Sequence, residues 1–155
     1  MADFFDRIVI LKCTPIFAQV ATDDLCVVLE EMLEETYVKG ERVFEIRDPS
    51  DRMYVVLTGK IGISINPDPK VEDYVGVVEE GGCFGEMGPL DGMPRSGTAH
   101  VIEDSQLLYL DKLKLRELIT SYPELAFGLL QGMSARVRET GERLLGALSG
   151  NARRK

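Results

Sequence analysis

The fold is decided by one glycine-rich stretch: Phe84-Gly85-Glu86-Met87-Gly88-Pro89-Leu90, followed closely by Pro94-Arg95-Ser96-Gly97-Thr98-Ala99. Glycine leaves the backbone amides uncovered, so they can turn sharply and point toward an anion. Glu86 can accept a hydrogen bond from a hydroxyl group, and the Arg95 guanidinium can hold two phosphate oxygens at once, which a lysine cannot do. These residue types fit a ligand that carries both a phosphate and a ribose hydroxyl.

The composition of this stretch leaves a second interpretation open. Glycine-rich segments usually form ordinary turns, and a glutamate and an arginine nine residues apart usually lie on a solvated surface. The order of residues also differs from two known phosphate loops. No Gly-Lys-Ser/Thr follows, as a Walker loop requires, and the dinucleotide fingerprint is absent.

Length and composition indicate one globular domain. The chain has 155 residues, of which 45% are hydrophobic and 28% charged. These values exclude a disordered, collagen-like or membrane-spanning chain. The 18 basic residues are outnumbered by 26 acidic ones, a net charge of −8, which argues against nucleic acid or an anionic membrane as the main partner. The acidic start, Met1–Asp6, does not resemble a signal peptide, so a cytoplasmic location is expected.

The cysteines and the histidine indicate neither a metal site nor a disulfide framework. The three cysteines, Cys13, Cys26 and Cys83, lack C-x-x-C spacing, and His100 is the single histidine. Buried, reduced thiols are expected instead. We therefore expect no metal and no cofactor.

The pattern of hydrophobic and turn residues changes twice along the chain, which divides it into three regions. Residues 1–35 are predicted to be helical, with Thr22 as an N-cap and an apolar repeat behind it. Residues 36–111 carry short β-prone runs separated by turn residues, which indicates a sandwich or a jelly-roll barrel. The runs are Arg42–Ile46, Met53–Leu57, Lys60–Ile65, Tyr74–Val78, Thr98–Ile102 and Gln106–Leu110, with turns predicted at Gly59 and at 103–105, among others.

Residues 112–149 return to helical periodicity. Asp111 is placed to cap the first of two helices, which ends at Tyr122-Pro123. The second is predicted from about Glu124 to Leu148, with one apolar face formed by Leu125, Leu129, Met133, Val137, Thr140, Leu144 and Leu148. Four glycines weaken this helix intrinsically. Residues 151–155 are predicted to form a disordered tail, outside a single domain at 1–150.

The order of residues in the 84–99 stretch, without gap or insertion, resembles the phosphate-binding cassette of cyclic nucleotide-binding domains. These are the sensor modules of protein kinase A regulatory subunits, gated channels and catabolite activator proteins. The similarity extends to Leu11-x-x-x-Pro15-Ile16-Phe17, to Gly40-Glu41 and to the hairpin Met53–Ile61. It implies a mainly β fold: a jelly-roll barrel, or double-stranded β-helix, with N-terminal helices and two C-terminal helices.

The resemblance also implies roles for individual residues. Glu86 would accept the ribose 2′-hydroxyl and Arg95 would neutralise the cyclic phosphate. The amides near Gly85 and Glu86, next to Met87, and the amide and hydroxyl of Ser96 would complete the phosphate cradle. By position, Ile63 and Val75 would line the purine, and Thr140 would contact the edge of the base.

The chain departs from the family pattern at two positions. Ile46-Arg47-Asp48 stands where Glu/Gln-Gly-Asp is usual, and glycine commonly serves there because the backbone can take a positive φ. Arg47 in that conformation would cost on the order of 1 kcal/mol, and a reshaped turn is the alternative. Gly97 replaces the commoner alanine and is expected to loosen the strand that follows.

The expected function is to bind cAMP, with cGMP as the second choice, and to transmit occupancy by movement of the C-terminal helices. Ser96 has a hydroxyl without the methyl group of the threonine that is typical of cGMP-selective relatives. No nucleophile–base pair supports an enzyme. The alternative is a degenerate family member that acts as an interaction or dimerisation module.

The expected partners follow from the length of the chain. Only seven residues follow Leu148, too few for the helix-turn-helix domain of a transcription activator, so no DNA binding is expected. The effector is then another protein or a missing effector domain. A homodimer through the C-terminal helix is the other expected contact.

Overall fold

Two long antiparallel strands form the centre of the fold. They are β3 (Arg52–Ser64) and β6 (Thr98–Asp111) in the computed structural model, which describes residues 2–153. Four shorter strands complete a six-stranded sheet: β1 (Leu33–Tyr37), β2 (Arg42–Phe44), β4 (Tyr74–Glu79) and β5 (Cys83–Phe84). β1 and β2 pair with β6, whereas β4 and β5 pair with β3. This is the mainly β architecture that the sequence predicts.

Helices flank the sheet at both ends of the chain and at the glycine-rich stretch. They are α1 (Phe4–Cys13), α2 (Thr22–Glu31), α3 (Met87–Asp91), α4 (Lys112–Ser121) and α5 (Pro123–Ala152). The predicted cap at Asp111 is confirmed, because its carboxylate accepts a hydrogen bond of 2.8 Å from the amide of Lys114. The predicted cap at Thr22 is wrong: Thr22 lies inside α2, and the preceding Ala21 makes no side-chain cap.

Strand β3 is buried on both faces and therefore joins two hydrophobic clusters. Met53, Val55 and Leu57 pack with the helices, while Tyr54 and Val56 point to the opposite side, into the interior of the curled sheet. Such alternation is the geometry of any β-strand, in which successive side chains leave opposite faces. Because both faces of the strand are covered there, all residues from Met53 to Leu57 are hydrophobic.

The predicted turns at Gly59 and at 103–105 are wrong, because β3 and β6 run through them without interruption. The two segments lie opposite each other, and the register between the strands shifts there. Gly59 has a φ of 98°, and the amide of Lys60 donates to Ser105 Oγ at 3.1 Å. Glycine and serine thus form a bulge that bends the long ladder, rather than two hairpin turns.

The predicted boundary between the first helices and the sheet also needs correction. Helix α2 ends at Glu31, and Leu33–Tyr37 already forms strand β1. This strand pairs in register with Ser105–Tyr109 of β6. Tertiary pairing therefore overrides the helical appearance of residues 33–35.

Helix α5 is longer than predicted and is covered only in its first half. Leu125 and Leu129 are buried, but Val137 is 72% exposed and Leu144 and Leu148 are exposed as well. The predicted apolar face therefore continues beyond the core that covers it. Asn151 and Ala152, predicted to belong to a disordered tail, lie in α5, whereas residues 154 and 155 lie outside the described residues.

The expectation of buried cysteines holds for one of the three. Cys83 is buried, Cys26 is half-buried and Cys13 is exposed. Within residues 2–153, no helix is long and apolar enough to cross a membrane.

Arg47 keeps the backbone conformation that favours glycine, so the turn is not reshaped to avoid it. Its φ is 73°, and it is the one non-glycine residue with positive φ in the described part of the chain. The strained turn is held by backbone hydrogen bonds from the Arg47 amide to the Arg95 carbonyl (2.9 Å) and from the Arg95 amide to the Asp48 carbonyl (2.8 Å). Strain in the turn is therefore offset by its attachment to the glycine-rich stretch.

Replacing Arg47 by glycine should stabilise the protein. Arg47→Gly removes the contact between a β-carbon and the backbone, so we expect the free energy of unfolding to rise by up to about 1 kcal/mol. Arg47→Ala is the matched control, because it removes the same charge but keeps the β-carbon. Urea denaturation of both variants measures the difference. An equal gain for alanine and glycine would show that the charge, not φ, causes the cost.

Candidate functional site

A cavity of about 300 Å³ lies between the curled sheet, α3 and α5. Six of the eight predicted site residues line it: Ile63, Gly85, Glu86, Met87, Arg95 and Ser96. The cavity is of the size and shape that small ligands occupy in proteins. The full lining includes two carboxylates, two guanidinium groups and three glycines: Glu86, Asp91, Arg95, Arg136, Gly85, Gly88 and Gly97.

Arg95 is a buried cation at the wall of this cavity. It is 6% exposed, and its Nη1 and Nη2 donate to the carbonyl oxygens of Gly85 (2.9 Å) and Arg52 (2.8 Å). Burial lowers the pKa of the guanidinium from its ordinary value, an effect that nearby Tyr54, Asp51 and Asp48 oppose. No carboxylate within residues 2–153 forms a salt bridge with Arg95.

The Nε atom of Arg95 is buried and has no acceptor among the described residues. A buried donor without a partner costs on the order of 1–3 kcal/mol, and more when it carries charge. An anion in the cavity could supply the missing acceptor. Arg95 therefore places a buried cation, without a carboxylate partner among the described residues, at the wall of the cavity, which favours a negatively charged ligand there.

Glu86 lies at the start of α3, and its side chain is 3% exposed. Its carboxylate is bound by the guanidinium of Arg136, which comes from α5. Arg136 Nη2 also donates to the carbonyl oxygen of Cys83 at 2.9 Å. One arginine of the long helix is thus attached to two points of the glycine-rich stretch.

Sequence analysis missed Arg136, although a signal was present. It lies four residues before Thr140, so it shares that face of a helix. Among the described residues of α5, Arg136 is the basic side chain that lines the cavity. Arg136 also lies beside the Cys83 thiol; burial raises the pKa of this thiol, which Arg136 partly opposes.

Val75 and Thr140 do not reach the cavity, contrary to the prediction. Val75 is 56% exposed, because it lies on the outer face of β4, where exposure alternates along the strand. Val78, on the other face, lines the cavity instead. Thr140 is exposed and lies one helical turn beyond Arg136, past the point where α5 leaves the core.

Two glycines of the stretch are required by close contacts. Gly85 has a φ of 75°, and a β-carbon there would lie 2.7 Å from Arg95 Nη1. Gly97 is buried, and a β-carbon would lie 2.7 Å from the carbonyl oxygen of Ser64. Gly97 therefore permits close packing against the end of β3, rather than the looser strand that the sequence predicts.

The site does not resemble a metal centre. Among residues 2–153, no group of three or more histidine, cysteine, aspartate or glutamate side chains is placed to hold a metal ion. The polar groups at the cavity are suited to recognition through hydrogen bonds and charge.

A curled antiparallel sheet that positions a glutamate, an arginine and backbone amides around a cavity defines a ligand-binding module. A model of the cyclic nucleotide-binding domain matches residues 34–122, which is more than half of the chain. The chain belongs to the cyclic nucleotide-binding domain family. Members of this family are regulatory sensor domains rather than enzymes.

Curated relatives and solved structures agree with this assignment. The chain is 27% identical to a CRP-like cAMP-activated global transcriptional regulator of Mycobacterium tuberculosis, over 87% of this chain and 60% of that protein. It is 29% identical to a cyclic AMP receptor protein of Thermus thermophilus, over 83% of this chain and 60% of that protein. The chain therefore spans about 60% of the length of these relatives.

Structural similarity confirms the jelly-roll fold. The Thermus thermophilus catabolite activator protein superposes with a TM-score of 0.76 at 29% identity, covering 87% of this chain and 63% of that one. The N-terminal domain of a transcriptional regulator from Streptomyces coelicolor superposes with a TM-score of 0.72 at 30% identity, covering 86% of this chain and 95% of that one.

Substitution of Gly85 should reveal how tightly Arg95 is packed. Gly85→Ala introduces backbone strain of about 1–2 kcal/mol and also a contact with Arg95 Nη1. Gly92→Ala is the matched control, since Gly92 has the same φ of 75° but nothing within 4 Å of the added β-carbon. We expect Gly85→Ala to lower the free energy of unfolding more than Gly92→Ala in urea denaturation. Equal losses would show that Arg95 moves aside without cost.

Proposed function

We propose that this protein binds a cyclic nucleotide, cAMP in preference to cGMP, at the cavity between Glu86 and Arg95. The observation that carries the proposal is the buried Arg95, whose Nε lacks an acceptor within residues 2–153. A cyclic phosphate supplies a charged acceptor at that point and pairs with a cation that burial has removed from water. The cavity needs no cofactor for this role.

The remaining cavity residues fit the rest of a cyclic nucleotide. Glu86 accepts the ribose 2′-hydroxyl, and the amides of Gly85 and Glu86, beside Met87, face the phosphate together with the amide and hydroxyl of Ser96. Ile63 gives the purine an apolar wall from the sheet. Such a division, with a few polar groups in a mainly apolar cavity, provides both orientation and affinity.

Preference for cAMP rests on Ser96 and on the relatives. Ser96 offers a hydroxyl without a methyl group, which is compatible with either purine, and it is not the threonine that is typical of cGMP-selective relatives. Two relatives of similar identity are described as a cAMP-activated regulator and a cyclic AMP receptor protein. Thr140 contacts the base only when α5 moves closer to the cavity, because it is exposed in this structure.

Calorimetric titration tests the ligand and the site together. We expect the wild-type protein to bind cAMP more tightly than cGMP, and Arg95→Ala to lose about 3–5 kcal/mol of cAMP affinity, which is more than hundredfold. Arg116→Ala, which removes an exposed charge on α4, is the control. Circular dichroism checks that each variant is folded. Undiminished binding by Arg95→Ala would place the site elsewhere, and cGMP bound about tenfold more tightly than cAMP would reverse the ligand preference.

Occupancy reaches α5 through Glu86 in this proposal. In the structure the Glu86 carboxylate is bound by Arg136 of α5, so a ribose hydroxyl must share or displace that arginine. The consequence is a population shift, in which the ligand favours a different position of α5 over the one observed.

Hydrogen–deuterium exchange along α5 tests this route. We expect cAMP to change amide exchange in residues 133–148 of the wild-type protein. Arg136→Ala should show altered exchange there before ligand is added and a smaller response afterwards. Arg143→Ala is the matched control, because within residues 2–153 the one salt bridge of Arg143 is with Glu139 on the same exposed helix surface. Equal cAMP responses in both variants would exclude transmission through Arg136.

Exposed apolar residues along α5 support self-association, which is compatible with the sensor and with the alternative function as an interaction module. Leu130, Val137 and Leu144 are spaced by seven residues and are all at least 60% exposed. This spacing is typical of a helix that packs along a second helix. A second copy of the chain is the proposed partner.

Sedimentation velocity tests the dimer. We expect the wild-type protein to be dimeric and Leu144→Glu to be monomeric, because a charge in an apolar helix interface is not compensated. Leu113→Glu changes an exposed leucine on α4 and should leave the dimer intact. A dimer that binds no cyclic nucleotide would favour the interaction module over the sensor.

A further inference from the structure

The guanidinium of Arg95 lies on the face of an aromatic ring. Its Cζ atom is 3.9 Å from the centroid of the Phe44 ring and 6.0 Å from that of Tyr54. Phe44 and Tyr54 lie 6.1 Å apart, and Phe84 stacks on Tyr54 with ring centroids 5.1 Å apart. Three strands thus contribute one ring each to an aromatic cluster beside Arg95: Phe44 from β2, Tyr54 from β3 and Phe84 from β5.

We propose that Phe44 is a positioning residue for anion binding: its ring fixes the plane of the Arg95 guanidinium and so directs the free Nε toward the phosphate of the ligand. This inference rests on the proposed function and names a residue through which that site acts.

The physical reason is the planarity of the guanidinium group. The carbonyl oxygens of Gly85 and Arg52 accept hydrogen bonds from Nη1 and Nη2, which restrains the group at one end. Contact with a ring face restrains its plane, because the negative face of the ring attracts the cation. A guanidinium is weakly hydrated and stacks on aromatic rings where an ammonium does not. Nε then remains as the unsatisfied donor of a group that is already oriented.

The backbone holds ring and guanidinium together. Phe44 is the last residue of β2 and pairs with Ala99 of β6, after a shift in register. The turn that follows β2 is bonded to the backbone of Arg95 through Arg47 and Asp48. Displacement of the turn would therefore move the ring and the arginine backbone together, and their relative position is preserved.

The guanidinium of Arg95 can lie on the ring of Phe44 because Gly85 has no side chain. A β-carbon at Gly85 would lie 2.7 Å from Arg95 Nη1 and 3.4 Å from Phe44 Cε1. Glycine, ring and guanidinium therefore fit against one another with no room for a further atom. Direct stacking of a purine on this face of Phe44 is blocked, because the guanidinium already covers it.

Stepwise fluorination of Phe44 tests the positioning role. Site-specific incorporation of 4-fluoro-, 3,5-difluoro- and 3,4,5-trifluorophenylalanine weakens the negative ring face while nearly preserving its shape. We expect the affinity for cAMP, measured by calorimetry, to fall with each added fluorine, by about tenfold over the series. Phe44→Leu should lose at least as much affinity, and Phe44→Tyr, which keeps the ring face, should retain most of it.

The same fluorinated series at Phe17 is the control. Phe17 is 1% exposed and belongs to the cluster between the helices and the sheet, which does not include Phe44. No graded loss of cAMP affinity is expected there. A similar loss at both positions would show a general packing effect and would overturn the positioning role.

The outcomes separate this inference from the function on which it rests. A wild-type protein that binds neither cAMP nor cGMP overturns the proposed function and the positioning role with it. A wild-type protein that binds cAMP, together with an affinity that stays constant or rises across the Phe44 series, overturns the positioning role alone. A graded fall confined to Phe44 supports both.

Discussion

The structure depends most on the burial of one positive charge at Arg95. A guanidinium that loses water must regain its interactions from the protein, and here the contributions come from separate parts of the chain: carbonyls of Gly85 and Arg52 and the ring of Phe44. The turn with the strained Arg47 binds the backbone of the same residue. These groups satisfy the cation only in part, since Nε has no acceptor among the described residues. The fold thus holds a cation in a state that an anionic ligand would complete.

Glu86 presents the complementary case of a buried carboxylate whose partner comes from a distant helix. Arg136 lies fifty residues away in sequence and connects α5 to the same stretch that holds Arg95. Leaving the buried Glu86 carboxylate without a partner is costly, whereas the Arg136 side chain is 43% exposed and can turn to water. Any ligand hydroxyl that binds Glu86 must therefore alter the environment of Arg136. In the proposed function, this ion pair is the contact that would link the position of α5 to the occupancy of the cavity.

Order of residues, more than composition, led to the predicted site, six of whose eight residues line one cavity. Glu86, Arg95 and Ser96 could be placed because their spacing matches a cassette whose parts are close in sequence. The long strands could not, because glycine at 59 and Glu-Asp-Ser at 103–105 are typical of turns, and only their pairing across β3 and β6 converts them into a bulge. The predicted position of Val75 beside the cavity was wrong for a related reason. A two-residue alternation fixes which residues share a face of a strand, but not which face points inward. The spacing of Arg136 from Thr140 indicates only a shared helical face, whereas its contact with Glu86 depends on how α5 packs against the glycine-rich stretch.

Two glycines of α5 have a packing role that the sequence does not indicate. In the sequence Gly128 and Gly132 only weaken a helix, yet a β-carbon at Gly132 would lie 2.9 Å from the Cα of Ile16, and one at Gly128 would lie 2.9 Å from Val20. They let the first half of α5 pack closely against the segment that joins α1 to α2, whereas Gly141 and Gly146 meet nothing within 4 Å. A helix of 30 residues, about 45 Å long, is therefore fixed at its start and free toward its end. Arg136 lies just beyond the last close glycine contact, so it is the final attachment before the free half. Release of that attachment would act on the exposed segment and leave the packed segment in place, which explains how a change at the cavity could alter a distant surface without disturbing the core.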